Sequence, residues 1–143
     1  MNSQVCVDAS FVIKLGIPEA GSDQVEDLWR GWYHVGREIV APHLLHCKIT
    51  SVICNAIYRS RITPEEGLQI LERLLALPVR LIAAERLHIT ACKMAIELGQ
   101  PAAYDAHYLA LAQNLGCELW TGDRRLYQAV RERMPWVRLI QEA

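Results

Sequence analysis

Tyr104 to Asp123 reads YDAHYLALAQNLGCELWTGD, and the architecture of the chain follows from its two halves. The first half is helical, beginning after Pro101 and closing at Gly116, a residue suited to the left-handed cap of a helix. Cys117–Thr121 then reads as a short core strand that ends on TGD. A helix handed directly to an apolar strand, with an acid just beyond, is one step of an alternating α/β chain.

The same step recurs on either side. Val79–Ile82 is a strand, and Ala84–Leu98 is a helix closed by Gly99. Glu38–Ala41 is a short strand, after which Pro42 opens the first turn of a helix that continues to Ile57. Thr63 begins TPEE, with Pro at the first helical position and Glu at the third, and that helix runs to Leu77 before Pro78. Gln4–Val7 is a β-prone run ending at Asp8. Ser22–Val35 is a helix striped by Leu28, Trp29, Trp32 and Tyr33. Arg124–Arg133 is helical, and Trp136–Ile140 is the last strand. The expectation is an α/β fold, a three-layer sandwich with a mostly parallel central sheet flanked by helices, in a single domain over residues 1–143. No Gly-rich GxGxxG or Walker loop follows any strand, which disfavours dinucleotide and P-loop sites.

With 143 residues the chain is large enough to bury a core, and 52% hydrophobic with 22% charged residues is ordinary for a soluble globular protein. A net charge of −1 gives no global attraction to nucleic acid or membrane, so an RNA-binding role requires a local basic patch. Five scattered cysteines without a CxxC suit a reducing cytoplasm rather than a disulfide framework. His43, His46 and Cys47 do not share one helix face, and no second ligand pair follows them. They read as surface and packing residues rather than a zinc site. No signal peptide or long apolar run is visible, so a soluble cytoplasmic protein with no membrane partner is expected.

Ligands of open α/β sheets bind beyond the carboxyl ends of the strands. Asp8 closes VCVD and Asp123 follows ELWTG, both at strand ends, while Asp105 lies near the start of the YDAHYLALA helix. Each has a plain reading as a cap or turn residue. Right-handed crossovers nevertheless bring parallel strand ends to one edge, where the three could converge. Clustered carboxylates repel one another unless a cation is shared, and hard oxygen ligands suit Mg²⁺ or Mn²⁺.

VDASFVIKL, PHLLHCKITSVI, AAYDAHYLALAQNLG and LWTGDRRL, in this order and spacing, resemble the PIN-domain ribonucleases. Within that family they are most similar to the VapC-type toxins of bacterial and archaeal toxin–antitoxin pairs. The resemblance covers nearly the whole chain and is most specific in YDAHYLALA followed by TGDRRL. It implies an acidic pocket that binds Mg²⁺ or Mn²⁺ and hydrolyses RNA phosphodiester bonds. The family's acids fall on Asp8, Asp105 and Asp123, and its pocket-lining polar positions fall on Ser10 and Thr121. An RNA substrate, a cognate antitoxin protein and a homodimer are implied as partners.

One position departs from the pattern. The family usually carries a glutamate on the helix after the proline, and here that residue is Lys48. At roughly 100° per residue, Leu44, Leu45, Ile49, Val52, Ile53 and Ala56 share one face, and Lys48 projects inside that arc. The helix contains no acid to restore the lost charge. Three readings stay open. Lys48 salt-bridges the aspartates and leaves a metal-poor, inactive or weakly active protein. Alternatively, metal binds through the three aspartates and Lys48 contacts the scissile phosphate, or Lys48 snorkels to the rim.

Among the remaining residues, Arg124 and Arg125 follow Asp123 directly and are candidate RNA phosphate contacts, with Lys14, Arg59 and Arg61 as further cations. Trp29, Trp32, Tyr33 and Tyr58 serve either core packing or a partner surface. His107 is two residues beyond Asp105 on a helix, points away from it, and reads as a surface or packing histidine. Two other functions compete with the ribonuclease. A catalytically inactive PIN-like module would bind RNA or protein. An aspartyl-phosphate phosphotransferase-type protein needs a second acid close to Asp8 or Asp123, which neither VDASFV nor TGDRRLY supplies.

Overall fold

The apolar runs become five strands: β1 (Gln4–Val7), β2 (Glu38–Pro42), β3 (Arg80–Ile82), β4 (Glu118–Thr121) and β5 (Val137–Leu139). The computed structural model describes residues 2–83 and 85–141. All pairings are parallel, in the order β3-β2-β1-β4-β5. From β1 the chain winds outward to β2 and β3, then returns to the other side of β1 for β4 and β5. The direction of winding therefore reverses between β1 and β4, and a crevice opens at their carboxyl ends.

Helices α1 (Ala9–Val12), α2 (Ser22–His34), α3 (Leu44–Tyr58), α4 (Pro64–Leu75), α5 (His88–Glu97), α6 (Tyr104–Leu115) and α7 (Arg124–Val130) flank the sheet. Helix α6 packs on β1, β2 and β4 and also against α5. This explains why Ala106 and the run Tyr108–Ala112 are buried. A helix covered on most of its circumference needs apolar or small residues nearly all round. Gly116 caps it in the left-handed conformation, φ 65°, where a Cβ would be strained. Thr63 caps α4 by accepting from the Glu66 amide at 3.1 Å, while its hydroxyl donates to the Glu66 carboxylate at 2.9 Å.

Several boundaries differ from expectation. Pro42 is the last residue of β2, paired with Ile82, rather than the first turn of α3. At a strand terminus the missing N–H costs at most one ladder bond. The third crossover helix begins at His88, later than the expected Ala84, which lies outside the described residues. Sequence reading did not anticipate α1 or the 3-10 turn Ile13–Leu15 that follows it. Asp8 nucleates α1 by accepting from the Phe11 amide at 3.0 Å.

The aromatic stripe of α2 divides. Trp32 is buried and stacks on Phe11 with ring centroids 5.4 Å apart. Tyr33 and Tyr58 are exposed. On α3 the buried positions are Leu45, Ile49, Ile53 and Ala56, whereas Val52, expected on the same face, is exposed. The stripe covered by α4, α1 and β2 is narrower than the apolar arc. Lys48 sits at its margin, half-buried.

Candidate active site

The carboxyl ends of β1 and β4 meet across the crevice through one hydrogen-bond network. Asp8 Oδ1 accepts from the Ser10 hydroxyl at 2.7 Å, and Asp8 Oδ2 accepts from the Thr121 hydroxyl. Ser10 Oγ in turn accepts from the Gly122 amide at 2.8 Å, and Thr121 Oγ1 accepts from the Asp123 amide at 3.0 Å. Two hydroxyls thereby clasp the turn after β1 to the turn after β4. Gly122 is required at this join by close approach. A Cβ there would stand 2.9 Å from Lys14 Cε and 3.1 Å from the Ser10 carbonyl oxygen.

The acids occupy different environments. Asp8 is 5% exposed. Its burial pushes the carboxyl up to about 6, against the lowering effect of the Thr121, Ser10 and Phe11 hydrogen bonds, and the charge of Asp105 adds to the rise. Asp105, in the first turn of α6, is raised by burial and by the charge of Asp123, and is drawn back down by Lys48. Asp123 caps α7, accepting through Oδ1 from the amides of Arg125 at 2.9 Å and Leu126 at 3.2 Å. The expected acids are thus brought into electrostatic reach of one another.

Lys48 makes no ion pair with any described residue, which corrects the expected salt bridge to an aspartate. Its ammonium lies 4.7 Å from the centroid of the Tyr104 ring. Tyr104 opens α6 immediately before Asp105, so its aromatic face meets the lysine while the carboxylate still feels the charge. Lys14 is not a surface cation. It is 8% exposed, pairs with Glu19 at 3.1 Å and donates to the Ala20 carbonyl at 2.7 Å. Arg124 and Arg125 are exposed in the first turn of α7, beside Asp123. His107 bonds the Ala103 carbonyl and His88 rather than any acid.

Tyr108 was not singled out from the sequence. Its hydroxyl is buried and lacks a hydrogen-bond partner. Burial pushes the phenol upward, and the charges of Asp8 and Asp105 push it further. The available signal was its spacing, three residues beyond Asp105 and so on the same helix face.

Among the described residues, no group of three or more His, Cys, Asp or Glu side chains is assembled closely enough to hold a metal ion. The donor chemistry nevertheless fits a hard divalent cation. The charge of Asp105 raises the proton affinity of Asp8, and that of Asp123 raises the proton affinity of Asp105, so a shared positive charge would relieve them, and the Tyr108 hydroxyl, which feels the charges of Asp8 and Asp105, lacks a hydrogen-bond partner.

A parallel α/β sandwich with acids at its switch point defines the class of protein. The chain belongs to the PIN-domain family, whose profile matches residues 5–132. Among solved structures, the chain is similar to PAE2754 from Pyrobaculum aerophilum, with a TM-score of 0.68 and 21% identity over 88% of this chain and 78% of that one. It is also similar to VapC20 of Mycobacterium tuberculosis, a toxin that cleaves the sarcin-ricin loop. Here the TM-score is 0.64, with 17% identity over 87% of this chain and 94% of that one. At these identities the likeness is one of fold. No curated protein sequence matches.

Proposed function

We propose that the protein is a divalent-metal-dependent endoribonuclease, the VapC-type toxin of a toxin–antitoxin pair, working as one domain in the cytoplasm. The observation that carries this reading is the hydroxyl network that joins Asp8 to the Asp123 turn, with Asp105 electrostatically coupled to both. Asp8, Asp105 and Asp123 are the carboxylates that would hold Mg²⁺ or Mn²⁺. When bound, such an ion supplies a water of lowered pKa and polarises the phosphodiester.

The chain's own groups do the rest. Ser10 and Thr121 hold the Asp8 carboxylate in one orientation. Arg124 and Arg125 offer positive charge to flanking phosphates from the first turn of α7. Lys48 offsets the charge of Asp105, which lowers the affinity for a divalent ion and leaves an ammonium beside the pocket for the scissile phosphate. The exposed Tyr33 and Tyr58 suit partner contacts with the antitoxin or a second copy.

Lys48 also favours a second reading, a PIN module that binds RNA without cutting it, because its charge weakens the metal site that hydrolysis requires. Cleavage of a labelled RNA with Mn²⁺ and with Mg²⁺, alongside Asp8→Asn and Asp105→Asn controls, decides between them. Hydrolysis that disappears in both variants supports the nuclease. Equal signals from all the proteins would mean contamination and leave the binding module.

A further inference from the structure

The acids take up only part of the carboxyl edge of the sheet. They follow β1 and β4, whereas the ends of β2 and β3 open into a separate cleft of about 540 Å³. Its walls include Pro42, Leu44, Glu85, His88, Tyr104 and His107. Tyr104 joins the two spaces. Its ring lines the cleft, its neighbour in the chain is Asp105, and Lys48 rests over it.

From this geometry we infer that the cleft is a subsite for one unpaired nucleobase of the RNA, adjacent to the phosphate that is cut. The inference rests on the ribonuclease reading above. Charge and shape argue for a base rather than a phosphate. Among the described residues no lysine or arginine lines the cleft, and Glu85 would repel an anion, while rings and aliphatic groups offer a flat neutral body stacking and apolar contact. A few hundred cubic ångströms holds a base and its ribose, a scale at which ligand pockets work.

The histidines provide direction. His107 Nδ1 lies 2.6 Å from the Ala103 carbonyl oxygen, which only accepts, so that nitrogen carries the proton. In the neutral ring Nε2 is then an acceptor, and His88 Nδ1, 2.9 Å away, must donate to it. His88 Nε2 is left as an acceptor for an amino or imino N–H of a base. The backbone carbonyl thus sets the hydrogen-bonding polarity of a residue on another helix. The nucleotide's phosphate would remain on the Lys48 and Asp105 side of Tyr104.

The test is equilibrium binding by the full chain in EDTA, where cleavage is suppressed. The probes are a single-stranded hexaribonucleotide and an abasic backbone of the same length. The wild-type protein should bind the base-bearing strand at least about tenfold more tightly than the abasic one. Tyr104→Leu and His88→Leu, both at exposed positions, should each lose about fivefold or more on the base-bearing strand and keep their affinity for the abasic one. Variants that weaken both probes equally, or neither, overturn the subsite. So do His88 ring resonances that stay fixed as the hexaribonucleotide is added but move with a protein partner. The two readings fail separately. Base-dependent binding in a protein that cuts nothing with Mn²⁺ sinks only the nuclease, and cleavage without dependence on Tyr104 and His88 sinks only the subsite.

Discussion

The Lys48 ammonium rests on the ring of Tyr104, 4.7 Å from its centroid, and acts on the adjacent Asp105 carboxylate without touching it. This places a positive charge at the mouth of an acidic pocket. A cation over an aromatic face is worth about 0.5–1 kcal/mol at an exposed site. That is enough to bias the rotamer and too little to lock it. The lysine can therefore swing toward a phosphate.

Replacing that charge should change metal affinity directly. Lys48→Glu exchanges a positive for a negative group near Asp105, and Mn²⁺ binding measured by calorimetry should tighten by about tenfold or more. Lys48→Met, which keeps much of the length and removes the charge, should give a smaller gain. Unchanged affinity in both variants would show that Lys48 does not act on the metal site.

Asp8 makes stability depend on pH in an uncommon direction for a carboxylate. Its folded value of about 6 lies above the ordinary 3.8, so the folded state holds this proton more tightly than the unfolded chain does. The stabilisation is complete below about pH 4 and is lost as pH rises through about 6. A difference of about two pH units corresponds to about 3 kcal/mol. In the metal-free protein, Asp8→Asn should therefore raise the urea midpoint at pH 8, with the advantage shrinking toward pH 4. A gain that stays constant with pH would contradict this.

Thr121 is the hydroxyl shared by two turns. Thr121→Val removes the donor to Asp8 and the acceptor for the Asp123 amide. A loss of about 1–3 kcal/mol in urea unfolding is expected, because buried groups are left unpaired. The Asp8 pKa should also climb further, since the Thr121 bond lowers it. Carboxyl NMR titration checks the second outcome, and a downward movement would remove Thr121 from this role.

Gly122 tests the close packing of the clasp. Gly122→Ala would press a methyl against Lys14 Cε and the Ser10 carbonyl, and should cost about 1–3 kcal/mol as an overpacked contact. The companion Lys14→Met removes the Glu19 pair and should also destabilise. It should leave RNA affinity nearly unchanged, because Lys14 is buried. A large loss of RNA binding in Lys14→Met would place that lysine on the RNA path after all.

The reading of the chain succeeded where local rules operate. Helix caps at Thr63 and Gly116, apolar runs in the strands, and acids just past β1 and β4 all express short-range physics, and they carry the parallel α/β architecture and the positions of Asp8, Asp105 and Asp123. Pro42 was misplaced because a proline that opens a helix and one that ends a strand look alike without the partner strand. Lys14 was misjudged because its partner Glu19 is brought to it by a turn whose course no periodicity signals.

What needed the tertiary structure involves residues far apart along the chain. Lys48 reaches Tyr104, Thr121 reaches Asp8, and His88 meets His107 on another helix. The first and last depend on how two helices settle against each other, and the second on the pairing of β4 with β1. The chain alone specifies which groups can ionise, donate or stack. Packing decides which neighbour each group finds, because a charge or hydrogen bond a few ångströms long is satisfied by proximity in space and is blind to separation in sequence.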